Sequence, residues 1–283
     1  MGEENYFKYI PNETLIYVAA ACFGVSSIYY SVQVFRFRSW YFIPFLIGCI
    51  SEAAGYGARR YSSEHVDQIG PYIGQGLLLL LPPAFFSATV YMILKKVILC
   101  MDAQEYSKLS IKWLTKIFVA ADVFSLFLQA AGGGLQGAKK KNLTSIGQGT
   151  TIFGLVVQVV AFTVFLWLTW HFTSAMLKDY NSPAYTCAEK GQERSWKAPW
   201  RRCIYAIYAS GGLILLRSVY RIVEYAMGHE GYLMVHEAYF YALDTLPMFL
   251  TTVVFIVVFP PAVLKKQVEL SILNSNAPRP VAV

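Results

Sequence analysis

An all-α, polytopic membrane protein, a bundle of seven transmembrane helices, is predicted by three properties of the sequence. Its composition is 56% hydrophobic and only 14% charged, with a mean hydropathy of +0.43, a balance suited to hydrocarbon rather than water. Apolar runs of about 20 residues, the length that crosses a bilayer core, recur along the whole chain of 283 residues. The polar gaps between the runs are short, which argues for one membrane domain rather than several soluble ones. That domain is expected over 14–264, between an extracellular N-terminal segment, 1–13, and a cytoplasmic C-terminal tail, 265–283.

The first run, 14–34, follows a segment with Glu3, Glu4 and Glu13 against a single Lys8. A signal peptide begins with a basic region, so this run reads as a retained helix. The second run is 40–57. The third, 72–94, contains Pro82-Pro83, which remove backbone hydrogen bonds and should kink it. The fourth, 114–134, ends in Gly132-Gly133-Gly134, which weaken a helix but let a backbone or a ligand approach closely. The fifth and sixth are 147–172 and 203–227, and the seventh, 238–259, carries a second kink at Pro247. Trp40, Tyr41, Trp113, Trp167 and Trp170 lie near helix ends, where aromatic side chains anchor at the membrane interface. Cys22, Cys49, Cys100, Cys187 and Cys203 show no metal-type spacing and predict no disulfide scaffold.

Lysine and arginine set the orientation. Fifteen fall on one side of the predicted helices, including Arg36, Lys95, Lys178, Arg201 and Lys265, against six on the other: Lys8, Arg59, Arg60, Lys139, Lys140 and Lys141. The richer side is expected in the cytoplasm, which puts the N-terminus outside and the C-terminus inside. The sequons at Asn12 and Asn142 both fall on the expected outside and are the candidate glycosylation sites. The net charge of +7 is spread over cytoplasmic rims and does not suggest a nucleic-acid partner. The stretch 178–202 reads as the one sizeable cytoplasmic loop.

Polar residues interrupt the apolar runs at helical spacing. Glu52, Tyr56 and Arg59 form one stripe in the second run; Asp122, Ser125 and Gln129 another in the fourth; Arg217, Arg221 and Glu224 in the sixth; Glu237, Tyr241 and Asp244 in the seventh. Gln75 and Gln158 add amides from the third and fifth. At about 1.5 Å per residue, Glu52 and Arg217 lie roughly 18–21 Å from the cytoplasmic edge and Asp244 roughly 9 Å below the outer one. The polar groups therefore converge on one level of the outer half, with Arg59 and Arg60 at its rim. Charged groups inside a membrane mark sites and pathways, or they pair to hold helices together. Five carboxylates favour a wet cavity open to the exterior, since small residues and packing alone can build a purely structural bundle.

Several chemistries lack their residues. Of the four histidines, His65, His171, His229 and His236, only His171 is near a helix, so neither haem nor an intramembrane zinc site is expected. His229 and His236, with Glu230 and Glu237, flank a short outer loop and read as solvated. The last run has no lysine for a retinal-type Schiff base, and no nucleotide-binding loop is present. No cofactor is assigned.

Several segments carry a family resemblance. They include Glu52-Ala-Ala-Gly-Tyr-Gly-Ala-Arg59, Pro71-Tyr-Ile-Gly-Gln75, Pro83-Ala-Phe-Phe-Ser-Ala-Thr-Val-Tyr91 and Phe118-Val-Ala-Ala-Asp122 with Gln129-Ala-Ala-Gly-Gly-Gly134. They continue in Gly154-Leu-Val-Val-Gln158, Arg217-Ser-Val-Tyr-Arg221-Ile-Val-Glu224-Tyr, Gly228-His-Glu-Gly231 and His236-Glu237-Ala-Tyr-Phe-Tyr241-Ala-Leu-Asp244. As a set they resemble the fungal RTA-like proteins, named for resistance to aminocholesterol and described as lipid-translocating exporters. One departure is Val258-Phe259-Pro260-Pro261, where such proteins often have His-Pro. The resemblance implies a multi-pass protein of a fungal plasma membrane or endomembrane, linked to sphingoid base export, drug resistance or lipid asymmetry.

The expected function is export of an amphiphilic lipid of sphingoid-base type or of a lipid-like toxin through the exofacial polar cavity. The expected partners are membrane lipids and that amphiphile; a cationic one would bring its amine to Glu52, Glu224, Glu237 or Asp244 while its tail lies between helices. The expected substrate-binding set is Glu52, Tyr56, Gln75, Asp122, Gln129, Gln158, Arg217, Arg221, Glu224, Glu237, Tyr241 and Asp244. Two alternatives stand beside transport: a cofactor-independent isomerase or cyclase with Glu52 and Asp244 as acid and base, and a seven-helix lipid sensor or receptor. Transport ranks ahead of an enzyme.

Overall fold

The computed structural model describes residues 12–64, 69–101, 111–136, 141–180, 199–227 and 237–265. Helix α1 (Glu13–Phe37) starts at Asn12, whose side chain accepts the Thr14 backbone N–H, and it stops at Arg38 in the left-handed region at φ 50°. A 3₁₀ turn, Trp40–Phe42, leads into α2 (Ile43–Glu64). The expected third run is two helices, α3 (Ile69–Leu80) and α4 (Pro82–Cys100), separated at Leu81. Neither Pro82 nor Pro83 can donate to the turn before it. Helices α5 (Ile111–Gln136), α6 (Lys141–Tyr180) and α7 (Pro199–Met227) follow. The last passage is α8 (Glu237–Phe240), a π-helical turn Tyr241–Thr245 and α9 (Leu246–Val257).

Six of these passages are long and apolar enough to cross a membrane, which makes the chain an all-α polytopic membrane protein. They are Glu13–Phe37, Gly74–Cys100, Trp113–Gln136, Asn142–Lys178, Trp200–Met227 and Glu237–Lys265. The expected run at 40–57 is the exception by composition. Its helix α2 has 22 residues, enough for roughly 33 Å, but it carries Glu52, Arg59, Arg60 and Glu64. Helix α6 departs in the other direction: its 40 residues span roughly 60 Å, twice a hydrocarbon core, so part of it stands outside the bilayer.

One half of the bundle is closed by aromatic packing. Tyr30 of α1, Phe42 of the 3₁₀ turn, Phe45 of α2, Phe86 of α4 and Phe255 of α9 are all fully buried. The Phe45 and Phe86 rings stack at 4.2 Å, Phe45 meets Tyr30 at 4.8 Å and Phe255 at 5.2 Å. Each such pair adds about 0.5–1.5 kcal/mol beyond its burial. The Tyr30 hydroxyl donates to the Thr252 carbonyl at 2.6 Å, tying α1 to α9.

Helices α5 and α6 pack backbone to backbone. A Cβ built on Gly132 would lie 2.6 Å from the Gly147 carbonyl oxygen, and one on Gly154 would lie 2.9 Å from that of Ser125. Gly133 and Gly134 have open space there, so of the three glycines Gly132 is the one the close approach requires. Gly132→Leu is expected to lower the melting temperature of the purified protein, by the roughly 1–3 kcal/mol that overpacking costs. Gly133→Ala should leave it equal or higher, because alanine is the better helix former. Equal melting of the two variants would contradict this packing.

A buried layer of arginines and carboxylates as the candidate functional site

Helix α7 places Arg217, Arg221 and Glu224 along one face, and all three are buried against the last passage. Asp244, 1% exposed, stands opposite them. Arg221 grips it with two parallel bonds, Nε to Oδ1 at 2.6 Å and Nη2 to Oδ2 at 2.8 Å, the fork geometry that makes arginine–carboxylate pairs strong. Arg217 Nε lies 2.9 Å from the same Oδ1. The remaining Arg221 nitrogen, Nη1, donates to Glu224 Oε2 at 2.9 Å.

Two proline breaks create this geometry. In an uninterrupted helix the Leu79 carbonyl would accept from residue 83, which is Pro83 and has no N–H. Arg217 Nη2 supplies the missing donor at 2.5 Å, so the arginine links the α3–α4 break to Asp244. Before Pro247 the chain widens into a π turn, and Leu246 N–H returns to the Tyr241 carbonyl. The wider turn makes room where a proline ring would strike the preceding turn, and it carries both Asp244 and Thr245 into the interior. Thr245 Oγ1 shares a 2.5 Å hydrogen bond with the Tyr56 hydroxyl of α2, and the Tyr241 ring stacks on Tyr56 at 6.4 Å.

Arg59 lies within this layer, 5% exposed, and not at its rim as the sequence suggested. Its Nη2 is 3.6 Å from Glu237 Oε1, and its guanidinium sits 4.5 Å from the centre of the Phe240 ring, which Arg221 also approaches at 5.2 Å. Glu237 Oε2 accepts the Asn12 backbone N–H at 2.9 Å, joining the start of α1 to that of α8. Arg60 is the outer residue, paired with Glu64 at 2.9 Å and Glu13 at 3.3 Å.

Glu52 differs from the other carboxylates of the layer. It is 1% exposed, within electrostatic reach of Arg217, Arg221 and Asp244, yet it has no hydrogen bond or ion pair among the described residues, and Oε1 is fully enclosed. Glu224, Glu237 and Asp244 each have an arginine. Counted formally, four carboxylates face three guanidiniums, and Glu52 is the one without a matched charge. On α3, Gln75 is also buried with an unpartnered Oε1.

The expected single polar level is thus three knots. Asp122 of α5 bonds to α4, its Oδ2 accepting from Ser87 Oγ and, at 3.0 Å, from the Tyr91 hydroxyl. Gln129 Nε2 donates to Ser125 Oγ at 2.7 Å and to Gln158 Oε1 at 3.0 Å, while Ser125 Oγ donates to the Gly154 carbonyl at 2.7 Å. These bonds zip α5 to α6, and no hydrogen bond among the described residues joins either knot to the arginine layer. Arg59, Thr245, Ser87 and Tyr91 were missing from the expected set. Arg59 was detectable, standing seven residues after Glu52 on the same stripe; the hydroxyl groups carry no such signal. His65, His229, His236, Lys139 and Lys140 lie outside the described residues; Asn12 and Asn142 are exposed at helix starts.

A family model described as "RTA1 like protein" matches residues 45–267. Three relatives from Saccharomyces cerevisiae are similar to this chain. Protoporphyrin uptake protein 1 is 39% identical over 217 residues, which cover 76% of this chain and 67% of that protein. Protein RTA1 is 34% identical over 219 residues, 77% and 65% of the two. The sphingoid long-chain base transporter RSB1 is 27% identical over 281 residues, 90% and 73% of the two. The matched region spans about two thirds of the length of the first two relatives. No solved structure matches the chain.

Proposed function

The chain belongs to the family of RTA1-like proteins, and from that membership we propose that it moves a cationic amphiphile of the sphingoid-base type across the membrane. The observation that carries this reading is the unmatched charge at Glu52. A desolvated carboxyl without a partner takes up a proton rather than carry an unpaired charge, and an arriving ammonium group would displace that proton and supply the missing cation. The alkyl chain would lie between helices, where it stays in apolar surroundings.

The relatives' names point to two kinds of cargo, a sphingoid long-chain base and a protoporphyrin. A protoporphyrin carries carboxylates, which offer Glu52 no counter-charge, so the unpartnered carboxyl favours the amine. In this reading α2 is the seventh passage, its polar face turned into the bundle. The N-terminus is outside and the C-terminus cytoplasmic, as the lysine and arginine excess and an odd number of passages require. The arginine layer then lies in the outer half and the aromatic layer in the inner half, so that the head group is received from the exterior side.

The test is a proteoliposome assay with labelled sphingoid base that follows both its leaflet and its chemical identity. Transfer of intact base between leaflets supports the proposal. Conversion of the base to a new product replaces it with an intramembrane enzyme, and neither transfer nor conversion overturns it.

A further inference from the structure

Asp122 is 2% exposed in the middle of α5, far along the chain from every arginine of the charged layer, and no lysine or arginine forms an ion pair with it among the described residues. Its surroundings are aromatic: the Tyr91 ring, which reaches it through the hydroxyl, packs on Phe118 at 5.5 Å, Phe162 at 5.9 Å and Phe165 at 4.5 Å. Oδ2 receives Ser87 and Tyr91, and Oδ1 is enclosed with no partner at all. An isolated carboxylate in such a place carries the full desolvation penalty.

The hydroxyl bookkeeping allows a second state. Ser87 has one hydrogen and two acceptors within reach, Asp122 Oδ2 and the Ala84 carbonyl at 3.0 Å. With Asp122 ionised, Ser87 donates to Oδ2. With a proton on Oδ2, that proton is donated to Ser87 Oγ, and Ser87 turns its own hydrogen to Ala84; Tyr91 donates to Oδ2 in both states. The two states need only hydroxyl rotation and one proton from water. A metal ion has too few ligands here, since one carboxylate and two hydroxyls fall short of the roughly six oxygens that hard cations take.

We infer that Asp122, with Ser87 and Tyr91, is a proton-binding site separate from the arginine layer, and that its proton occupancy reaches that layer through α4. Ala84 is in the first turn of α4, immediately after Pro82-Pro83, and Leu79, whose carbonyl Arg217 holds, lies three residues before Pro82. Both groups therefore bear on the same break. The titratable group facing Asp122 from α4 is Tyr91; α6 presents Phe162 and Phe165; and the nearest charge on α5 itself, Lys116, is six residues away. This inference goes beyond the proposed cargo and supplies that transport with a source of coupling.

The test is infrared spectroscopy of the protein in a detergent without ester groups, following the protonated-carboxyl C=O band through a pH titration. One component of the wild-type band that disappears as pH rises is expected to be missing from Asp122→Asn, retained in Glu52→Gln, and shifted in frequency in Tyr91→Phe and Ser87→Ala. The two hydroxyl variants keep the inference testable if Asp122→Asn does not fold. A band indifferent to pH, a spectrum of Asp122→Asn identical to that of wild type, or a component unmoved in both hydroxyl variants overturns it. So does a band lost on adding sodium at constant pH, which would make the ligand a metal cation. No lipid takes part, so failure here is distinguishable from failure of the proposed transport.

Discussion

Asp244→Leu is expected to destabilise the protein by about 3–5 kcal/mol, the cost of breaking a buried ion pair by removing one partner. The structure gives the reason for placing it at the top of that range. Asp244 is the common acceptor of Arg217 and Arg221, so its loss leaves two buried guanidiniums short of a counter-charge. Glu224 retains a grip on Arg221, whereas among the described residues Arg217 keeps only the Leu79 carbonyl. Asp244→Asn preserves the shape and removes the charge, and it should fall between Asp244→Leu and wild type. Thermal unfolding in detergent, followed by helical circular dichroism, reads the order directly. Coincident curves for Asp244→Leu and wild type would contradict the role of this carboxylate as the centre of the layer.

Glu52→Gln is expected to do the opposite: leave stability equal or raised while abolishing transport. A buried amide is less costly to desolvate than a buried carboxylate, and no hydrogen bond or ion pair of Glu52 is lost among the described residues. What disappears is the charge that a cationic head group would meet. Hydrogen bonds to charged groups contribute about 1.5–3 kcal/mol, which corresponds to roughly a ten- to hundredfold loss of affinity. Proteoliposome transfer rates measured beside melting curves separate the two effects. A variant that melts early and transports at the wild-type rate per folded molecule would reverse both halves of the expectation.

Much of this architecture is legible in the sequence because a bilayer leaves few options: a long apolar run must be a helix. The run 203–227, for example, became α7 at Pro199–Met227. Stripe spacing also placed Arg217, Arg221 and Asp244 on inward faces, because a charged side chain facing lipid is so costly. The division of the polar residues into three knots was not legible. Periodicity gives a face of a helix but not which neighbour it meets, and Asp122 faces hydroxyls on α4 while Asp244 faces arginines on α7. Likewise Pro83 announced a kink, but only the fold shows that the carbonyl it frees is taken by Arg217. Arg59 looked like a rim residue because the predicted helix stopped at 57, and α2 continues to Glu64.

The account rests on Glu52 as the counter-charge for a cationic amphiphile, and equilibrium binding tests that most directly. Purified wild type and Glu52→Gln, in nanodiscs of a zwitterionic lipid, would be titrated with a fluorescent sphingoid base and with its uncharged N-acetyl form. The account predicts that wild type binds the amine at least tenfold more tightly than the N-acetyl form, and that Glu52→Gln erases the difference by weakening the amine alone. Equal affinity of wild type for the two ligands, or an amine preference that survives in Glu52→Gln, would contradict it.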